Sequence, residues 1–156
     1  MFRLILIVGI SLFLLSDSSF SKYRNRTKEI QKELNFYTTK LNSPNSAVRI
    51  SALRKITKIN HKLALKPLIH ALDDKSTFIR RIAIKRLGEM DYTEAVPHLI
   101  RILKEEKELF VQKELISALG NLKDYRSIEI LKRYTNNESI TLKVAAKKAL
   151  KNLQQK

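Results

Sequence analysis

From Thr27 onward, apolar residues recur three and four positions apart between short polar breaks, which predicts a series of amphipathic helices. Ile30, Leu34, Tyr37 and Leu41 form the first apolar face, opening at Thr27 as N-cap and stopped by Asn42, Ser43 and Pro44. Val48, Ala52, Leu53 and Ile56 form the second, entered near Ser43 or Ser46 and followed by a turn at Asn60 and His61. The pair then recurs. Leu65, Leu68, Ile69 and Leu72 lead to a break at Asp73 and Asp74, and Ile79, Ala83, Ile84 and Leu87 run on to Gly88. A third unit carries Val96, Leu99, Ile100 and Leu103, then Val111, Leu115, Ile116 and Leu119, closed by Gly120. The fourth has Ile130, Leu131 and Tyr134, then Leu142, Ala146 and Leu150.

Leu41, Leu72, Leu103 and Tyr134 each end a first helix, at a constant step of 31 residues. That period marks stacked repeats, in which each unit buries its faces against its neighbours. With 44% hydrophobic residues and only three glycines and three prolines in 156 residues, a turn-rich β fold is excluded. The fold class expected is all-α, an α-solenoid of about four antiparallel helical hairpins over residues 27–153. Gly88 and Gly120 are expected to end their helices. Lys147 stands where the other units have Leu53, Ile84 and Ile116, as a capping repeat requires. Ala52, Ala83 and Ala146 mark sites of close helix approach, whereas Ala149 is expected to matter less.

Residues 1–21 have the pattern of a signal peptide: Arg3, an apolar run Leu4–Leu15, then polar residues with Ser19 and Ser21 two apart. The run of about 12 residues is short for a ~30 Å hydrocarbon core. Cleavage after Ser21 and an exported, periplasmic or extracellular product are therefore expected, with residues 22–26 as a disordered basic leader. Lys22, Arg24, Arg26 and Lys28 oppose this, since positive charge tends to keep its side of an apolar run in the cytoplasm. The chain has no cysteine, which excludes disulfides and thiolate chemistry.

The break followed by [VI]-R-x-x-A-x-x-x-[LI] is carried by Val48, Arg49, Ala52 and Ile56, and by Ile79, Arg80, Ala83 and Leu87. With Ala64–Leu72 before it, this pattern resembles the HEAT-like repeats of bilin lyases and of many bacterial scaffold proteins. The resemblance implies a superhelical stack whose second helices line a concave side, and a contact between the Arg of one unit and a neighbouring loop acid. Gln112 and Lys143 replace that Arg and put the contact in doubt for units three and four.

A formal net charge of +16, from 31 basic and 15 acidic residues, favours polyanionic partners. On the second helices Arg54, Lys85 and Lys148 share one register, with Arg81 and Lys113 a turn earlier, so these five form a candidate binding stripe. Catalytic motifs are not seen: His61, His70 and His98 lack metal-ligand spacing, and the loop acids Asp73, Asp74, Glu105, Glu106 and Glu108 suit helix capping. The aromatics Phe36, Tyr37, Phe78, Phe110 and Tyr134 fall beside apolar positions and read as packing. The function expected is an exported, non-catalytic scaffold that needs no cofactor and binds an acidic protein or other polyanion on its concave face. An anionic membrane or glycan surface is the second candidate. Nucleic acid is the third, and it conflicts with export.

Overall fold

The computed structural model describes the backbone of residues 2–155 and the side chains of residues 19–155. Among the described residues there are eight α-helices: α1 (Phe2–Leu41), α2 (Ser46–Thr57), α3 (Leu65–His70), α4 (Thr77–Glu89), α5 (Val96–Glu105), α6 (Leu109–Asn121), α7 (Ile128–Tyr134) and α8 (Ile140–Gln154). They form the four hairpins expected, with no strand among the described residues. The first helices of units two to four each open with a 3-10 turn, Lys62–Ala64, Thr93–Ala95 and Tyr125–Ser127. Two of these turns are capped by side chains, His61 Nδ1 accepting from the Leu63 N–H and Asp124 Oδ1 from the Arg126 N–H.

The periodic residues are the core. Leu53, Ile84 and Ile116, and likewise Leu72 and Leu103, are fully buried in one continuous cluster. Ala52, Ala83 and Ala146 are buried as expected, and Lys147 is exposed on the outward face of α8. The second helices α2, α4, α6 and α8 pack side by side in order.

Three local expectations are corrected. α1 is already helical through residues 21–26, where a disordered leader was expected, and Thr27 lies inside it with its hydroxyl donating to the Tyr23 carbonyl. Within a helix that hydroxyl reaches back one turn instead of capping. The apolar run Leu4–Leu15 lies outside the residues whose side chains are described. Second, Gly88 and Gly120 do not end their helices, and neither has a positive φ. The left-handed positions are Asp91, with φ of 55°, and Lys123, with φ of 49°. The glycines serve close packing: a Cβ on Gly88 would stand 2.7 Å from the Ala118 Cβ, and one on Gly120 would stand 2.6 Å from the Ala149 Cα. Third, Phe36, Phe78 and Phe110 are exposed rather than packed, while Tyr37 and Tyr134 do pack against the core.

Candidate functional site: the second-helix face and the loop ladder

In units two to four the break carries a polar residue whose side chain accepts from the backbone N–H two positions on, closing a turn just before the second helix. Asp74 Oδ1 accepts from the Ser76 N–H at 2.8 Å, Glu106 Oε1 from the Glu108 N–H at 3.1 Å, and Asn137 Oδ1 from the Ser139 N–H at 2.9 Å. Two of these groups also receive the arginine of the preceding unit. Arg49 Nε and Nη2 donate to the two Asp74 oxygens at 2.8 and 3.1 Å, while its Nη1 donates to the Ser43 and Pro44 carbonyls. Arg80 repeats the arrangement, with Nε and Nη2 on Glu106 Oε2 at 3.1 and 2.9 Å and Nη1 on the Asp74 carbonyl. In unit three Gln112 keeps only the backbone half, donating to the Glu106 carbonyl at 2.7 Å. The contact therefore joins units one to two and two to three, and it stops where Gln112 replaces arginine.

Electrostatics follows from burial. Burial pushes the Asp74 carboxyl up, but the Arg49 hydrogen bonds, the Ser76 N–H and the nearby positive charges outweigh it and hold Asp74 below the usual carboxylate range. Glu106 balances in the same direction, with burial opposed by the Glu108 N–H and by Arg80. Asp124 is lowered first by its hydrogen bond from Arg126. A carboxylate held ionised by bidentate arginine is a poor proton donor or acceptor, so these groups are structural.

The stripe residues lie on the second helices, and all five are exposed. Lys113 and Lys148 line one open groove of about 560 Å³ between α6 and α8, together with Ser117, Ile140, Val144 and Asn152. Arg54 lines a separate depression on α2 with Lys55 and Lys58. Arg81 is engaged, its guanidinium donating to Glu114 Oε1 at 2.6 Å, which removes its charge from a free stripe. The sequence reading missed that pairing and the apolar floor of the groove, where Ile140 is 75% and Val144 60% exposed. Glu114 stands 33 residues after Arg81, close to the repeat step, and that near-coincidence was the available signal.

No group of three His, Cys, Asp or Glu residues able to hold a metal occurs among the described residues. His70 meets Asn42 at 3.0 Å and His61 caps its own turn, so these two histidines have local structural partners. Nor is any helix among the described residues long and apolar enough to cross a membrane.

Comparison with known proteins extends this picture. Over 107 residues the chain is 27% identical to deoxyhypusine hydroxylase of Bos taurus and 28% identical to that of Homo sapiens, covering 68% of this chain and 35% of each relative. The chain thus spans about a third of the length of the curated relatives it matches. The structure of human deoxyhypusine hydroxylase in complex with glycerol superposes with a TM-score of 0.73 at 25% identity, over 83% of this chain and 46% of that one. The complex of CpcE and CpcF of phycocyanin lyase from Nostoc shares the fold at 19% identity and a TM-score of 0.53, over 79% of this chain and 65% of that one.

These relatives overturn two expectations. A non-catalytic scaffold is corrected, because the matched proteins are an enzyme, and the sequence offered no catalytic motif by which to see it. The exported location is corrected by the same finding, since a match to deoxyhypusine hydroxylases conflicts with a periplasmic or extracellular binding protein. The model of HEAT repeats matches residues 35–117, more than half of the sequence, and with the hairpin stack and its arginine ladder this places the chain in the HEAT repeat family.

Proposed function

We propose that this chain works in a deoxyhypusine-hydroxylase-type reaction, and that its second-helix face receives the protein bearing the side chain to be modified. The observation that carries the reading is the superposition on the human enzyme over 83% of the chain. Hydroxylation needs an oxygen-activating metal or cofactor, commonly iron held by histidine and carboxylate. The residues described here do not fit that group: no cluster of three such ligands exists, and the buried carboxylates Asp74 and Glu106 are committed to arginines. No oxygen-transfer step is therefore assigned to them. What the face supplies is recognition. Lys113 and Lys148 flank an apolar floor, and Arg54 and Lys85 carry positive charge along the same series of helices, which suits an acidic surface on the substrate protein.

The test is binding of the full chain to a deoxyhypusine-bearing protein and to the same protein with unmodified lysine. Tighter binding of the modified form, weakened by Val144→Glu in the groove, is expected. Failure to bind either form, or equal affinity for both, overturns the reading.

A further inference from the structure

On α1, Phe20, Tyr23, Thr27 and Ile30 lead by steps of three and four into Leu34, Tyr37 and Leu41, the a/d spacing of a coiled-coil seam. The lower half of this seam is occupied. Leu34 and Leu41 are buried, and Ile30 and Tyr37 pack in part against the core. The upper half continues the same line beyond the stack, yet Phe20 and Tyr23 are each 64% exposed. An apolar seam that is half filled by α2 and half bare is continuous with an established helix–helix interface.

Charge decides what fits the bare half. Arg24 and Arg26 fall at the e and g positions on its two edges, with Lys22 and Lys28 close by, and no acidic residue lies between Phe20 and Lys28. A second copy of the chain is a poor occupant. Paired antiparallel, with Phe20 across from Ile30 and Tyr23 across from Thr27, two copies set Arg24 against Arg24 and Arg26 against Arg26. The lower half of the same seam already seats a helix, α2, and a partner helix of about 10 Å diameter over the bare half continues that packing.

We propose that this seam docks an acidic amphipathic helix of a partner protein, with its apolar residues over Phe20, Tyr23 and Ile30 and its carboxylates toward Arg24 and Arg26. The recognition mode is helix-in-groove, with anchors at heptad spacing and specificity from the flanking charges. It lies on α1 and does not depend on the second-helix face.

The experiment uses the full chain and two synthetic helical peptides of about three heptads, identical at leucine a and d positions, with Glu or Lys at e and g. Fluorescence anisotropy at low salt should show the Glu peptide binding at least tenfold tighter than the Lys peptide. Tyr23→Glu should weaken the Glu peptide at least tenfold. Arg24→Glu with Arg26→Glu should reverse the preference, a gain of binding to the Lys peptide that misfolding cannot imitate. Equal binding of both peptides, or a preference unchanged by the double variant, overturns the proposal. So does binding to phosphatidylserine vesicles in place of the Glu peptide, or self-association abolished by Tyr23→Glu.

Discussion

Gly120 on α6 sits directly against Ala149 on α8: a Cβ added to Gly120 would lie 2.6 Å from both the Cα and the Cβ of Ala149. The obstacle is backbone, so it cannot swing aside. Alanine would recover about 1 kcal/mol of helix propensity over glycine, whereas overpacking a fixed contact costs about 1–3 kcal/mol. Gly120→Ala is therefore expected to destabilise, and Ala149→Leu to do so more strongly. Ser117→Ala, on the exposed face of α6, should stay within about 0.5 kcal/mol of wild type. Chemical denaturation of the three variants checks the order.

Among the described residues the left-handed positions are filled by residues other than glycine. Asp91 follows α4 with φ of 55°. Asp91→Gly should relieve strain and raise stability by roughly 0.5–1 kcal/mol, less the entropy glycine adds to the unfolded chain. A lower melting temperature than wild type would show that Asp91 contributes something glycine cannot.

Ala149 was expected to matter less than Ala83, yet it is buried and in close contact with Gly120, for an instructive reason. The period located every helix face, because burial of Leu53, Ile84 and Ile116 is written directly into apolar spacing. Distance between helices is not written there. Glycine at 88 and 120 carries the same letter whether it ends a helix or admits a neighbour, and only the packing of Ala118 and Ala149 separates the two. The arginine ladder was legible because the motif itself names the donor. The groove floor was not, since Ile140 and Val144 look like any other apolar residues at a helix start. The likeness to an enzyme was invisible for a plainer reason: the sequence shows no catalytic motif, and no group of three His, Cys, Asp or Glu able to hold a metal occurs among the described residues.

The ladder carries a pH dependence with a definite sign. Asp74 is held below its ordinary value near 3.8 in the folded chain. Its contribution is thus fully present above about pH 4 and is lost as pH falls through the lower folded value. Asp74→Asn should be less stable than wild type at neutral pH, and the gap should close on acidification below that point. A gap that stays constant to pH 2 would show that charge at Asp74 is not what stabilises the junction.

Unit three offers a gain-of-contact test. Gln112 and Asn137 hold the positions that Arg49 and Asp74 hold two units earlier, and Asn137 already accepts from the Ser139 N–H in the turn before α8, as Asp74 does from Ser76 before α4. Gln112→Arg and Asn137→Asp together should be more stable than their separate effects predict, with a coupling of about 1 kcal/mol or more in a double-mutant cycle. Additive effects would mean that the two loops do not approach as they do at Arg49 and Asp74.

The central functional claim rests on likeness to deoxyhypusine hydroxylase over most of the chain, together with a second-helix face suited to holding a protein. Isothermal titration of the chain with a deoxyhypusine-bearing protein, alongside its unmodified lysine form, tests it most directly. The account predicts preferential binding of the modified form, weakened when Lys113 and Lys148 are both changed to Glu. Equal affinity for the two forms, or binding unaffected by that change, would contradict it.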